Sequence, residues 1–323
     1  MIKNLFLLFF YLLVCFFSAE LYLRIFLPQD LSSPWRMYMD DGLLLNKRSG
    51  KAFHYFKSEK KAEYTFGKYH NRKYDLKESD DKILILGDSN PFGWMLNDED
   101  TYIYKIAKKF EKYEFINSTA GGHGTSDQLS YFIKFCEKIK PKYTFVLINM
   151  DDIKRSKASN LFYLDGDDDL KAGKNEIPTI YKFTENNLVY EFLVAYSHTI
   201  NFLRKAYVIS VNRSSSKDLL NDNNLDKDND KKLNTKFLFE KKLFKKFQSH
   251  ASKCQSDLNL ISIAWYDPKK YNSSTYEFLD NNIDFFNKEK INYISIKEKL
   301  NIKYSNPEKY SIKGDGHPNI EAN

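Results

Sequence analysis

The stretch Lys82-Ile83-Leu84-Ile85-Leu86-Gly87-Asp88-Ser89-Asn90 decides the fold. Lys82 to Leu86 is an apolar, β-branched run of strand length. A continuous run of this kind predicts a strand buried on both faces, as in parallel sheets. Gly87 lets the backbone turn without a Cβ clash. Ser89 then falls at the carboxyl end of the strand, where open α/β sheets place their chemistry. Polar Asn97-Asp98-Glu99-Asp100 and a helix-like run over Thr101–Lys112 follow. Strand, serine-bearing turn and later helix together make a nucleophile platform. Gly-Asp-Ser is also a common turn, so its meaning depends on a base and an oxyanion hole elsewhere.

Downstream, Tyr113-Glu114-Phe115-Ile116-Asn117 reads as a second strand and Ser118–Thr125 as a glycine-rich loop. Asp127–Ile139 reads as a helix with Leu129, Phe132, Ile133 and Cys136 on one face, ended by Pro141. Tyr143–Ile148 is a third, apolar strand. This alternation predicts an α/β domain with a parallel sheet and right-handed crossovers. Further on, Val194–Ala206 predicts a helix, Phe237–Ser252 a basic amphipathic helix packed on the core, and Tyr276–Lys288 another helix. Leu258–Ala264 and Ile291–Ile296 predict the fourth and fifth strands. Arg213–Lys236, almost without apolar residues, reads as a disordered surface loop.

Upstream, Leu5–Ala19 is almost wholly apolar and Leu21–Leu27 continues in kind. Together they reach the roughly 20 residues that a hydrocarbon core requires. Glu20 and Arg24, four apart, share a helix face and can pair near the interface. A cleaved signal peptide with Ser18-Ala19 at its site is the alternative to an uncleaved anchor; Val14 before Cys15 speaks against a lipoprotein. We read an uncleaved anchor at 1–27, with Lys3 on the cytoplasmic side and everything after Leu27 outside. Residues 28–80 read as a juxtamembrane link and a partly β leader. Residues 81–323 read as the main domain, with an insertion at 153–190 and the loop at 213–236.

Composition narrows the function classes. The chain has 323 residues, 42% of them apolar, enough for one large domain or two ordinary ones. Its net charge of +7, from 50 basic and 43 acidic residues, is interleaved without a basic block. It reads as a lysine-rich solvated surface and not as a nucleic-acid site. Cys15 lies in the apolar N-terminus, and Cys136 and Cys254 read as structural thiols, a bridge between them being left open. Asp165, Asp167, Asp169 and Glu176 occupy the first, third, fifth and twelfth places of a calcium loop. Leu170 stands where glycine is needed, however, so the stretch reads as an exposed hairpin turn. No metal and no cofactor are expected.

The base lies near the other end, in Lys313-Gly314-Asp315-Gly316-His317-Pro318-Asn319. His317 suits a general base, and Asp315 could hold its tautomer and stabilise the imidazolium. An oxyanion hole would come from the Ser89 N–H and the loop Asn117–Gly124, where glycines expose backbone N–H groups. His123, in that loop, is a rival base.

Together these residues resemble the SGNH (GDSL-like) hydrolase family, from about Asp81 to the chain end. Gly87-Asp88-Ser89 resembles its first block, Gly122 its second-block glycine and Asp315–Asn319 its last block. Phe92-Gly93-Trp94 and Asn97–Tyr102 are similar to membrane-anchored bacterial members. The resemblance implies a three-layer, flavodoxin-like sandwich with a mostly parallel sheet. It implies Ser89, Asp315 and His317 as catalytic residues, with Ser89, Gly122 and the third-block asparagine as oxyanion donors. Here that asparagine place holds Asp151, in Asp151-Asp152, and the last block reads Asp-x-His where many members have Asp-x-x-His. A terminal helix is expected after the last block, so the stop at Asn323 reads as a truncation. The resemblance implies an anchored esterase acting on acyl or acetyl esters of cell-surface glycans or lipids. An O-acyltransferase using the same site is the alternative. Asp151 also leaves open a catalytically impaired glycan-binding or assembly protein.

Overall fold

A computed structural model of the chain describes residues 2–57, 60–179, 181, 187–219, 237–263, 274–296 and 309–322. The chain divides into two compact units, one of residues 1–34, 52–62 and 179–235, the other of residues 35–51, 63–178 and 236–323.

The first unit begins with a helix, Ile2–Phe26. Its Lys3–Phe26 portion has a mean hydropathy of 2.1 and is long and apolar enough to cross a membrane. Glu20 and Arg24 pair on it at 3.0 Å, as their spacing predicts. Leu31–Ser32 pairs antiparallel with His54–Tyr55. The single helix expected over Val194–Ala206 is two helices, Leu188–Tyr196 and His198–Leu219. They break at Ser197, whose side chain bonds to Glu20 Oε2 at 2.8 Å and so leaves the helical path. The second helix covers residues 213–219, which the composition assigns to a disordered loop; residues 220–236 of that loop lie outside the described residues.

The second unit is built on β1 (Lys82–Leu86), β2 (Glu114–Asn117), β3 (Tyr143–Ile148), β4 (Asp257–Ser262) and β5 (Asn292–Ser295). They form one sheet in the order β2-β1-β3-β4-β5, every pairing parallel. Alternation along each strand separates two faces. Leu84, Leu86, Val146, Ile148 and Leu260 pack against Phe132 of helix Thr125–Ile139 and Phe247 of helix Leu238–Lys253. On the other face Ile83, Ile85 and Leu147 pack with Ile103 of helix Tyr102–Lys109. The result is the expected three-layer α/β sandwich. Burying each such side chain is worth about 1.5–3 kcal/mol. An acidic substitution at fully buried Leu84 is the single change that would disrupt both β1 and its packing.

Particular segments differ from their sequence reading. Leu43 and Leu45 of the leader belong to the same core as Leu84. Residues 153–162, assigned to an insertion, are structural: helix Asp152–Ala158 buries Ile153, and Leu161 and Phe162 join the core. Phe162–Leu164 and Leu170–Ala172 then form an antiparallel hairpin. At its turn Asp165 Oδ1 accepts the N–H groups of Asp167 and Asp169, at 3.1 and 2.9 Å. Its carboxylate caps a turn, as the hairpin reading requires. The helix expected over Tyr276–Lys288 is interrupted, as Ser274–Asn281 and Ile283–Lys288. Cys136 and Cys254 are bonded to each other, Cα atoms 6.2 Å apart, so they are not the free thiols expected. They close a loop of 118 residues, worth about 4–5 kcal/mol in the chain-entropy model. Helix packing brings together two cysteines whose spacing carries no signature.

Candidate active site

Gly87 ends β1 in a position with no room for a side chain. A Cβ there would come within 2.6 Å of Pro91 Cγ and 3.1 Å of the Leu147 carbonyl oxygen. The chain turns at once into a short helix, Ser89–Phe92, with Ser89 at its first residue. Asp88 caps it, Oδ1 accepting the Asn90 N–H at 2.9 Å. Ser89 thus sits above the carboxyl end of β1. On one side of β1 lies β2 and on the other β3, the point where strand order reverses and where such sheets hold their sites.

Three side chains fix this turn from behind. Asp88 is fully buried; its Oδ2 accepts from Asn149 Nδ2 at 3.0 Å and from Arg155 Nη1 at 2.8 Å. Behind these lies Asp152, also fully buried, with Oδ2 accepting from Gln128 Nε2 at 3.0 Å. Burial, and then the neighbouring Asp88 charge, push the Asp152 carboxyl well above the usual carboxylate range. Beyond the serine helix, fully buried Arg72 donates to the carbonyls of Phe92, Gly93 and Leu96 at 2.5, 2.9 and 2.5 Å and pairs with Asp98 at 2.7 Å. Its guanidinium carbon lies 4.7 and 5.1 Å from the ring centroids of Tyr64 and Phe92, which contact each other edge to face. Sequence reading missed Arg72 and Arg155, since a lone arginine in a polar stretch carries no signal of burial.

In front of the serine stands the distant turn. The backbone bonds Ile312 N–H to His317 O, 2.8 Å, and Asp315 N–H to Ile312 O, 3.1 Å, close it. Gly314 and Gly316 take φ of +77° and +90°, which glycine adopts at low cost. Asp315 Oδ1 lies 2.5 Å from His317 Nδ1 and accepts the His317 backbone N–H at 3.2 Å. His317 Nε2 lies 2.7 Å from Ser89 Oγ. With Nδ1–H donating to the carboxylate, Nε2 is left to accept from the serine hydroxyl. Serine, imidazole and carboxylate, 228 residues apart at the extremes of the first contact, form one hydrogen-bonded line.

The other candidates are distributed differently. Gly121, and not Gly122, abuts the serine: a Cβ on Gly121 would lie 3.8 Å from Ser89 Cβ and 2.8 Å from Arg36 Nη2. Gly122 follows with φ +89° and open space about its Cβ position. Asn117 anchors this loop by donating to Tyr74 Oη at 2.7 Å and accepting from Thr119 Oγ1 at 2.6 Å. His123 is buried, with Nε2 2.6 Å from the Leu44 carbonyl oxygen, so its ring is committed to the leader. Asp151 is half-exposed, its carboxylate 3.4 Å from Arg155 Nη2. The Trp94 ring stands between His317 and Arg36, 5.8 Å from the imidazole centroid and 5.7 Å from the guanidinium carbon.

The fold is α/β, with a five-stranded parallel sheet. The serine after the first strand, the 2-1-3-4-5 strand order and the carboxylate–imidazole–serine line are what the sequence resemblance implies. No protein-family model matches this chain, and no curated protein matches it in sequence. Among solved structures it is similar to a member of the lipolytic protein G-D-S-L family from Veillonella parvula DSM 2008. Identity there is 12%, over 75% of this chain and 91% of that one, with a TM-score of 0.40. It is similar to the psychrotrophic esterase EstA from Pseudoalteromonas sp., at 11% identity over 75% and 90% of the two chains, TM-score 0.39. A third is Axe2, an acetylxylan esterase from Geobacillus stearothermophilus, at 9% identity over 76% and 90%, TM-score 0.39.

Proposed function

We propose that the chain is a membrane-anchored serine esterase acting on acyl or acetyl esters of cell-surface glycans or lipids. The observation that carries this is the 2.7 Å contact of Ser89 Oγ with His317 Nε2, whose other nitrogen lies 2.5 Å from Asp315. His317 takes the Ser89 proton as Oγ bonds to the ester carbonyl carbon. The Ser89 N–H and the N–H groups of the Gly121-Gly122 turn, whose Gly121 abuts the serine, hold the resulting oxyanion. The C–O bond to the alcohol breaks, and the alcohol leaves with the proton from His317 Nε2. Water, deprotonated by His317, then releases the acyl group and restores Ser89. Asp315 stays ionised and steadies the imidazolium.

Other features support the reading. An apolar cavity of about 570 Å³ on the Ile83/Ile85 face of the sheet is lined at one end by Asn90 and Pro318, the chain neighbours of Ser89 and His317. Helix Ile2–Phe26 supplies the anchor, with the rest of the chain on the periplasmic or extracellular side. The Cys136–Cys254 bridge suits such an oxidising compartment. A catalytically impaired binding protein is favoured by one observation: the Asp151 carboxylate, turned to Arg155, offers an oxyanion no donor.

A fluorophosphonate probe separates these readings. Labelling of the wild type that is lost in Ser89→Ala, with hydrolysis of short p-nitrophenyl esters, is the expected result. No labelling of the wild type would select the binding protein. Labelling with acyl transfer to an added sugar in place of hydrolysis would select an O-acyltransferase.

A further inference from the structure

Glu20 and Arg24 interrupt an otherwise apolar helix, and the first unit explains why. Glu20 Oε1 accepts the His198 N–H at 3.0 Å, and Oε2 accepts the Thr199 N–H and the Ser197 hydroxyl, both at 2.8 Å. Arg24 Nη2 donates to the Tyr196 carbonyl at 3.1 Å. The carboxylate therefore meets the first N–H groups of helix His198–Leu219, and the guanidinium meets the last carbonyls of Leu188–Tyr196. Each charge faces the helix end of opposite polarity. One ion pair fastens both helices to the carboxyl end of the apolar helix. The Gln29 N–H adds a bond to His198 Nδ1 at 2.9 Å.

Leu188–Tyr196 is apolar on two sides. Val194 and Ala195 are buried. Leu188, Val189, Phe192 and Tyr196 fall within an arc of about 100° at 3.6 residues per turn, and all are exposed, Leu188 by 80% and Phe192 by 63%. On the next helix Leu203 is 56% exposed, directly before Arg204-Lys205. Soluble surfaces rarely leave large aliphatic and aromatic side chains together in water. The helix to which this surface is fastened is itself apolar and largely exposed, Leu23 near its carboxyl end being buried.

We infer that residues 188–203 are a second membrane element, helix Leu188–Tyr196 and the first turns of the next helix lying in the lipid interface with Leu188, Val189 and Phe192 among the acyl chains. Arg204 and Lys205 then reach the lipid phosphates. The occupant of the surface is a bilayer containing anionic lipid, because the surface continues that of a spanning helix and ends in basic residues. The inference rests on the anchor reading of Ile2–Phe26 and adds a second attachment point to it.

The test uses the full chain in vesicles of phosphatidylcholine and phosphatidylglycerol, with a polarity-sensitive nitrobenzoxadiazole label. Native Cys15, in the apolar helix, reports on the anchor. Phe192→Cys and Leu203→Cys, each with Cys15→Ser, report on the new element, with Leu188→Cys as a second site on the same face. Gly166→Cys, at the exposed hairpin turn, gives the water baseline. At positions 192 and 203 we expect emission roughly twofold or more above that baseline, quenched by brominated lipid. Quenching at Cys15 with positions 188, 192 and 203 at baseline would overturn the inference and leave the anchor standing. Baseline signal at every site, Cys15 included, would overturn both. Bright emission at 192 that ignores brominated lipid and fades on protein dilution would assign the surface to a second copy of the chain, again overturning it.

Discussion

Ser89 stands between two carboxylates that are held in opposite ways. Asp88, behind it, is fully buried and takes three hydrogen bonds, from the Asn90 N–H, Asn149 and Arg155. Asp315, in front, sits on an exposed turn and serves His317. A buried charge requires several fixed donors, because the interior repels it unless it is paired and bonded. Asp315, with 18% of its side chain exposed, bonds both the ring and the backbone N–H of the same residue, His317. The rear carboxylate therefore suits a structural task, holding the serine turn, and the front one suits orienting His317. Damage to the two carboxylates should register in different measurements.

The sharpest break in this contrast is at the front. Ser89→Ala and His317→Ala should each lower ester hydrolysis by roughly 10⁴-fold or more, the double mutant being little worse, with the unfolding midpoint almost unchanged. Normal turnover in Ser89→Ala would end the nucleophile assignment.

At the rear, Arg155→Met leaves Asp88 as a buried charge without its cation. Urea unfolding should show a loss of about 3 kcal/mol or more. A variant as stable as the wild type would mean that Asp88 is neutral and the front–rear contrast is wrong.

Asp151→Asn probes the seam between the two sides. It frees a side-chain N–H for the oxyanion and weakens one contact to Arg155, so turnover should rise, by up to about a hundredfold if the amide reaches the oxygen. Abolished turnover would show an essential role for the carboxylate and misplace the third block.

The smallest effect is expected at Asp152. Its raised pKa means that the folded chain holds this proton more tightly than the unfolded one. The resulting stabilisation is complete below the unfolded value and is lost as pH rises through the folded one. Asp152→Asn should flatten the fall in melting temperature on the alkaline side while keeping the bond from Gln128. An unchanged slope would place the pH dependence on another group.

Legibility follows the range of the forces involved. β1, β3 and the Thr125–Ile139 helix could be read directly, because periodicity and an apolar run are local properties. So could the candidates Ser89 and the Asp315–His317 pair, singled out by residue type and spacing and found hydrogen-bonded in one line. The break at Ser197 could not, since it depends on Glu20, 177 residues away, bonding the Ser197 hydroxyl. The closeness of Gly121 to the serine was likewise not legible, because it depends on the packing of Ser89, Trp94 and Arg36 around it.

The sequence by itself determined the α/β class, the apolar N-terminal helix and the three residues of the serine line. Each is written in contiguous patterns or in side chains with distinctive chemistry. Only the tertiary structure decided that Arg72 and Arg155 are buried beside the serine turn, that Cys136 meets Cys254, and that His123 is committed to the leader. A charged or polar side chain is buried only where distant segments bring it partners. Those partners lie beyond the few residues over which a local pattern extends.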